Sequence, residues 1–408
     1  MDMTNEEKRI PLYATSTVPT IPNTVSAETP LESLNMNWRE RDLPEKDRTK
    51  HVHRLHPYLG KYIPQLVEIF LRKYFKPEQT VLDPFCGSGT TLVQANELGI
   101  NGIGYDISAF NIMLCHAKLY KYNLRKARTE VLDVLDKLSE FDTHYGQRKL
   151  LLNNPLSFKI PENDNHYLEE WFSPRALKEL LAYRYLIESG DYEYKDLLKV
   201  ILSRSARSAR LTTHFDLDFP KRPQNGPYWC HKHSRTCCPV NEADKFLKRY
   251  SIDTLKRIEE FSKLRTDATV ELHHDDSRNS RFPAISGVIT SPPYMGLIDY
   301  HEQHAYAYHL LGLEDRRGAE IGAAKKGANR TAQQLYQSGI VDVFKNAVDS
   351  MPTGGRLIVV VHDKSNLYYA IAKMCGVEIE AVVDRHVNRR TGRRFSEFYE
   401  SVFVWRKS

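Results

Sequence analysis

The sequence predicts an α/β fold: a mainly parallel sheet interrupted by a mostly helical insert. Three observations predict it. A short apolar strand at Val81-Leu82 runs into the turn Gly87-Ser88-Gly89, a helix over 91–98 and a second strand over 102–106, which together make one βαβ unit. From about 121 to 267 charged helical stretches replace that alternation. After 267 short apolar strands return, and the chain closes on two of them.

The elements follow in order. Residues 1–50 are polar, with Thr, Pro and Ser concentrated between Pro11 and Pro30, and read as an extended N-terminal arm. Leu66, Ile69, Phe70 and Tyr74 recur at helical spacing and predict a helix over 64–74. Gly99 ends the helix of the βαβ unit as a C-cap. Helices are expected over 124–140, 174–190, 194–209 and 241–264, with an irregular Pro-, His- and Cys-rich segment at 215–239 between the last two. Strands are expected at 269–273, 287–290 and 356–361, a helix within 301–313, and a closing strand pair at 378–383 and 400–405. The catalytic domain then comprises 51–120 and 268–408, with 121–267 as the insert.

Composition sets broad bounds. The 408 residues are 41% hydrophobic and 27% charged, and 58 basic against 52 acidic residues give a net charge of +6. That permits a polyanionic partner without demanding one. No apolar run approaches the ~20 residues needed to span a bilayer, and the start Met1-Asp2-Met3-Thr4-Asn5-Glu6-Glu7 has neither basic nor apolar character, so neither a membrane span nor a signal peptide is expected. Six cysteines read as reduced thiols, which points to the cytoplasm.

In an open α/β sheet, ligands sit at the carboxyl ends of strands where the topology reverses. Asp83 ends the first strand, Gly87 and Gly89 let the backbone turn close to a ligand, and Asp106 ends the next strand, placed to bond two ribose hydroxyls. A dinucleotide site needs a third glycine to seat a pyrophosphate, and Gly87-Ser88-Gly89-Thr90-Thr91-Leu92 lacks it. A nucleoside cofactor without phosphates, S-adenosylmethionine, fits better; an ordinary βα turn without a ligand is the bland alternative. Downstream, Ser291-Pro292-Pro293-Tyr294 ends an apolar strand. Two prolines stiffen the loop and donate no amide hydrogen, so the Ser291 hydroxyl and Pro292 carbonyl can accept hydrogen bonds from one NH₂ group, and Tyr294 offers a flat face to a heterocycle.

These two motifs together resemble the amino-methylating DNA methyltransferases, the N4-cytosine and N6-adenine group. Asp83-Pro84-Phe85-Cys86-Gly87-Ser88-Gly89-Thr90-Thr91 is similar to their cofactor motif and Ser291–Tyr294 to their catalytic motif. His56-Pro57-Tyr58 with Lys61 and Pro64, Asp275-Asp276-Ser277-Arg278, and the late strands at 352–359 and 399–404 resemble supporting segments. The resemblance implies a Rossmann-like methyltransferase sheet and S-adenosylmethionine as cofactor. It implies that Asp83, Phe85, Gly87, Ser88 and Gly89 line the cofactor and Asp106 takes the ribose hydroxyls. Asp276 would lie beside the adenine, with Asp275 equally available, and His56 and Lys61 would help seat the methionine end. Ser291, Pro292, Pro293 and Tyr294 would be catalytic, with no metal assigned. The family often has Asn or Asp where this chain has Ser291, and serine there favours N4 of cytosine. The expected activity is site-specific transfer to a base flipped from duplex DNA. N6-adenine is the alternative, then RNA or a protein amide, and, in another class, a non-catalytic DNA-binding protein that keeps the fold. A cognate restriction endonuclease is a partner such an enzyme can have; oligomeric state stays open.

The core motifs read no DNA sequence, so the insert is the candidate for target recognition. Arg204, Arg207 and Arg210 recur every third residue and on a helix form a drifting basic stripe, which suits either phosphates or a solvated face. Arg389, Arg390, Arg393 and Arg394 surround Gly392 in an expected hairpin loop that favours a DNA contact. Cys230, His231, His233, Cys237 and Cys238 place five zinc-ligand types within nine residues. They lack the C-x₂-C…C-x₂-C spacing, so the segment reads as a DNA-facing loop with buried thiols, with structural zinc as the lesser alternative.

Overall fold

The structure is a computed structural model. It describes residues 9–10, 17–58, 60, 62–147, 165–214, 216–217, 220–324, 327, 329–387 and 398–408, the side chains of 10 and 141–147 excepted. Lys61 and the Arg389–Arg394 cluster lie outside the described residues.

Ten strands are described: β1 Arg9–Ile10, β2 Thr80–Asp83, β3 Asn101–Asp106, β4 Tyr228–Cys230, β5 Arg235–Cys237, β6 Val270–His274, β7 Gly287–Thr290, β8 Arg356–Val361, β9 Val377–His386 and β10 Tyr399–Lys407. Eight form one sheet in the order β1-β9-β10-β8-β7-β2-β3-β6, and β4 and β5 form a separate hairpin. Strands β6, β3, β2, β7 and β8 run parallel, and β10 runs antiparallel between β8 and β9. The chain builds outward from β2 through β3 to β6, then crosses to β7 on the other side of β2. The reversal therefore lies between β2 and β7, the place where an open sheet of this kind leaves a crevice at its carboxyl edge. This is a Rossmann-like sheet.

Both faces of that sheet are covered, which is why its strands read as near-continuous apolar runs. In β8, Leu357, Val359 and Val361 pack into one core with the helices Arg330–Asp349 and Leu367–Met374. Ile358 and Val360 point the other way, into a core shared with the helix Pro64–Tyr74. Phe403 and Trp405 of β10 join the first core, and Val402 and Val404 the second.

Several elements depart from expectation. The segment read as an extended arm is anchored to the sheet by four side chains. Val25, Leu34, Met36 and Trp38 are buried in the second core, and the Trp38 indole donates to the Thr20 carbonyl at 3.0 Å. Leu34, Met36 and Trp38 alternate with Asn35 and Asn37 at the period of an extended segment, a short apolar signal outweighed by the polar, proline-rich composition around it. Farther back, β1 pairs in parallel with β9. The irregular 215–239 segment contains the β4–β5 hairpin. The insert helices Leu124–Gln147, Pro174–Ser189, Lys195–Ala209 and Asp244–Ser262 share a third core with Leu92, Phe110 and Leu114 of the α/β unit. Among the described residues no helix is long and apolar enough to cross a membrane.

The arginine stripe is not a solvent face. Arg204 is buried, pairs with Asp253 at 2.6 Å and stacks over Tyr250. Arg210 is buried, donates to the Leu217 carbonyl at 2.7 Å and lies over Tyr306. Arg207 alone of the three is partly exposed. The helix carrying them is covered by its neighbours, so two of the three guanidiniums brace the insert instead of tracking phosphates.

Gly287 opens β7 where a Cβ would stand 2.6 Å from the Arg356 carbonyl oxygen and 2.9 Å from the Phe75 ring. The first obstacle is backbone and cannot turn aside. Gly287→Ala is expected to cost about 1–3 kcal/mol of stability, the usual range for overpacking, read as a lower urea midpoint at unchanged slope. A wild-type midpoint would show that β7 can shift away from β8.

Candidate active site

The carboxyl ends of β2, β3 and β7 open onto one cleft of about 830 Å³ of empty space, part of it continuous with solvent. Its walls include Tyr58, Phe85, Gly87, Ser88, Asp106, Asn111, Asp276, Ser291, Pro293 and His301. The cofactor-type turn and the amine-type loop, about 200 residues apart in sequence, thus share a single cavity.

The turn after β2 is tightly determined. Cys86 donates its amide to the Tyr105 carbonyl at 3.0 Å, and Gly89 donates to the Cys86 carbonyl at 2.7 Å. Gly87 and Gly89 both have positive φ, 49° and 76°, and a Cβ on Gly89 would stand 2.8 Å from the Cys115 sulfur. The buried Lys118 ammonium donates to the Ser88 carbonyl, and burial lowers its pKa to about 8. Asp106 is held by three donors: the Gly87 amide at 2.9 Å, the Ser108 amide at 2.8 Å and the Asn111 side chain at 3.1 Å. A carboxylate has about four acceptor positions, so Asp106 keeps capacity for a ligand hydroxyl.

Asp83 has a different place from the one expected. It is 1% exposed and does not line the cleft. Its carboxylate accepts from the Thr290 hydroxyl at 2.6 Å, the Tyr62 hydroxyl at 3.2 Å and the Phe85 amide at 3.2 Å. It ties the end of β2 to the end of β7 and to the segment before the helix Pro64–Tyr74. Burial pushes its carboxyl up to about 6, against the pull of those hydrogen bonds. Gly89 likewise sits behind the cavity, as the cap of the helix Thr90–Glu97.

Of the other expected cofactor residues, Phe85, Gly87, Ser88, Asp106 and Asp276 do line the cleft. Asp275 lines it too. Burial works upward on Asp276, but Arg278, bonded to it through its side chain, holds its carboxyl below the ordinary value. His56 is not brought to the cavity. It is fully buried, its Nδ1 donates to the Pro57 carbonyl at 2.8 Å, and its Nε2 accepts from Tyr306 at 3.4 Å. Burial lowers its pKa well below the ordinary value, so the ring is neutral. It packs beside Phe110 and His304, and Tyr58, two residues on, reaches the cleft in its stead.

The loop after β7 brings Ser291 and Pro293 to the cleft. The Tyr336 hydroxyl donates to the Pro293 carbonyl at 2.9 Å. Tyr294 is buried, with ring centroids 6.3 Å from His362 and 6.4 Å from Phe398. Its hydroxyl donates to Glu400 at 2.7 Å, and Glu400 is in turn bonded by Arg385 at 2.8 Å, both buried. The Ser291 hydroxyl stands 3.5 Å from that of Tyr294. Burial, then Glu400, raises the Tyr294 pKa well above its ordinary value, so the phenol stays protonated.

The cavity fits S-adenosylmethionine by its polar remainder. The Ser88 hydroxyl and the Asn111 carbonyl oxygen are buried at its wall without a protein partner, and the Asp106 carboxylate, bonded to the Gly87 amide and the Asn111 side chain, lines the same cleft. Hydroxyl- and amine-bearing ligand groups satisfy such atoms, whereas a pyrophosphate would face the Asp106 charge.

The sequence motifs did not signal Tyr62, Thr290, Asn111, Lys118, Arg385 or Glu400. Tyr62 stands four residues after Tyr58, and Asn111 on the helix that follows Asp106, but neither spacing is a known signature. Arg385 and Glu400 meet only because β9 and β10 pair.

An α/β sheet with a nucleoside-type turn and a proline-stiffened amine loop in one crevice defines a base or amide methyltransferase. The DNA methylase family of N6 and N4 amino-methyltransferases matches residues 8–114. The Type II methyltransferase M.MjaII of Methanocaldococcus jannaschii is 39% identical, over 88% of this chain and 81% of its own length. The Type II methyltransferase M.BsoBI of Geobacillus stearothermophilus is 24% identical, over 81% of this chain and 66% of its own. The chain belongs to the amino-methylating DNA methyltransferases, and its methyl donor is S-adenosylmethionine.

The raised Asp83 pKa has a measurable consequence. Between about pH 4 and pH 6 the folded chain holds a proton on Asp83 that the unfolded chain has released, so stability falls as pH rises through that window and is flat above it. A shift of about two pKa units corresponds to roughly 3 kcal/mol at about 1.4 kcal/mol each. Urea unfolding of wild type and Asp83→Asn from pH 4 to 7.5 is expected to show that fall in wild type only. A difference between them that does not vary with pH contradicts the assignment.

Proposed function

We propose that the chain is a site-specific DNA methyltransferase acting on the exocyclic N4 amine of cytosine in duplex DNA. The carrying observation is that Ser291 and Pro293 line the same cleft as Gly87, Ser88 and Asp106, with serine where the family often has Asn or Asp. The description of both relatives as Type II methyltransferases supports action at a defined DNA sequence, and a cognate endonuclease as its partner in the cell.

S-adenosylmethionine, when bound, supplies an electrophilic methyl group. The residues of the chain orient what surrounds it. Asp106 takes the ribose hydroxyls, the Ser88 hydroxyl and Asn111 carbonyl oxygen gain partners, and Asp276 lies beside the adenine. The target base leaves the duplex at a cost of a few kcal/mol; Tyr294, which is buried and does not line the cleft, must turn a face to it for stacking to return about 1–3 kcal/mol. The base NH₂ group donates hydrogen bonds to the Ser291 oxygen and the Pro292 carbonyl, which pulls the nitrogen toward tetrahedral geometry and aims its lone pair; once methylated, the nitrogen releases one proton to water.

Ser291 is itself aimed. If its hydroxyl proton turns to Tyr294, whose own proton goes to Glu400, both Ser291 lone pairs face the cleft. The Arg385–Glu400 pair anchors that chain of donors. Holding two reactants in line supplies on the order of 7–11 kcal/mol, so the loop's rigidity is the main catalytic device. The insert, 121–267, is the segment we assign to reading the DNA sequence, with 51–120 and 268–408 as the catalytic domain.

Mass spectrometry of nucleosides from methylated DNA is expected to show N4-methylcytosine; N6-methyladenine instead would overturn the base assignment and leave the site intact. Tyr294→Ala is expected to abolish methylation with S-adenosylmethionine binding nearly unchanged. Tyr294→Phe keeps the ring and removes the link to Glu400, and is expected to lower kcat about tenfold, the worth of about 1.4 kcal/mol. Wild-type kcat in Tyr294→Phe would exclude the donor chain.

A further inference from the structure

We propose that the insert carries a structural zinc site formed by His214, Cys230, His233 and Cys237. It lies outside the catalytic cleft and does not depend on which base is methylated.

The four candidate ligand atoms all lie within 4.8 Å of one another. The Cys230 sulfur is 3.5 Å from Nδ1 of His214 and 3.6 Å from Nδ1 of His233, and the Cys237 sulfur is 3.5 Å from the same His233 nitrogen. A tetrahedral zinc centre with Zn–S of about 2.3 Å and Zn–N of about 2.0 Å has S···N edges of about 3.5 Å. The three distances are edges of that tetrahedron. Hydrogen bonds alone account for them poorly. A thiol donates one proton and accepts weakly, so Cys230 could serve two imidazole nitrogens, but a neutral Nδ1 has one lone pair or one proton to offer, and that of His233 faces two sulfurs.

Local structure presents the ligands. Cys230 ends β4 and Cys237 ends β5, and both sulfurs fall on one side of the hairpin because Cys230 pairs with Arg235 and Cys237 with Tyr228. The turn between them, with Ser234 at φ 49°, folds His233 back so that its amide donates to the Cys230 carbonyl at 3.1 Å. His214 arrives from the segment after the helix Lys195–Ala209. The Tyr228 hydroxyl stands 2.9 Å from the same His214 nitrogen and also accepts from the His214 amide at 3.1 Å. Metal at Nδ1 would displace the first contact and leave the second.

The segment also needs a clip. Among the described residues from 213 to 240, the only buried side chains are Cys230 and Cys237. Trp229 is 58% exposed. A two-stranded hairpin without a core is marginal in water, and small units lacking a core depend on a metal or disulfide. Two thiols and two imidazoles in a tetrahedron select zinc over hard cations. Binding takes a proton from each thiol to solvent and leaves a neutral Zn(thiolate)₂(imidazole)₂ group. His231 and Cys238, equally eligible by sequence, are not in the cluster.

The test uses the full chain, purified without chelator. Metal analysis is expected to give about one zinc per chain. Exchange to Co²⁺ is expected to give the intense ligand-field bands of a tetrahedral site, with charge-transfer intensity for two thiolates; this reading needs no variant. Cys237→Ser is expected to lose those bands, whereas Cys238→Ser, His231→Ala and Tyr228→Phe keep them. Protein that holds no zinc and gives no tetrahedral cobalt spectrum overturns the proposal. So does loss of the bands in Cys238→Ser, their survival in Cys237→Ser, or a Cys230–Cys237 disulfide in freshly purified protein.

Discussion

The hydrogen bond from Thr290 to the Asp83 carboxylate joins the two halves of the active site. It spans the point where the sheet reverses, between the ends of β2 and β7. On the β2 side begins the turn to which we assign the cofactor; on the β7 side begins the loop to which we assign the amine. A carboxylate at this buried position is costly, and burial raises its pKa to about 6. The cost is offset by donors from three directions: Thr290, Tyr62 and the Phe85 amide. Around the same point the Thr91 hydroxyl donates to the Ile289 carbonyl at 3.2 Å, so the helix after the turn is bound to β7 as well.

The catalysis proposed for this site is positioning, and positioning is what that junction supplies. The Gly87–Gly89 turn is fixed from below by Lys118 and Cys115 and from the side by Asp106. The Ser291–Tyr294 loop is fixed by Tyr336 at Pro293 and by the Glu400–Arg385 pair at Tyr294. Each loop is rigid by itself. The β2–β7 junction sets one against the other, and an error of an ångström between them would forfeit much of what alignment gives.

Much of the scaffold was legible in the sequence, for a physical reason. The helix Pro64–Tyr74 and the strands Gly287–Thr290 and Arg356–Val361 carry strong periodic or apolar signals between clear breakers, and they form with the expected bounds. The cleft residues Gly87, Ser88, Asp106, Asp276 and Ser291 were legible because short motifs specify backbone turns and strand ends. What was not legible depends on distance in sequence. Asp83 and Gly89 belong to the cofactor motif yet brace it from behind, which only packing reveals. Arg204 and Arg210 show a helical stripe, but the neighbouring helices that bury it are invisible to local spacing. His214 stands sixteen positions before Cys230, beyond any compact ligand pattern, and reaches it only by the path of the chain after the helix Lys195–Ala209.

Asp83 and Thr290 act as one unit to align two loops. A double-mutant cycle on single-turnover methylation, with Asp83→Asn, Thr290→Val and the pair, at saturating S-adenosylmethionine, measures it directly. A hydrogen bond to a charged group is worth about 1.5–3 kcal/mol, and a coupling of that order is expected, the double variant being scarcely slower than the slower single one. Fully additive losses, with no coupling, would contradict it.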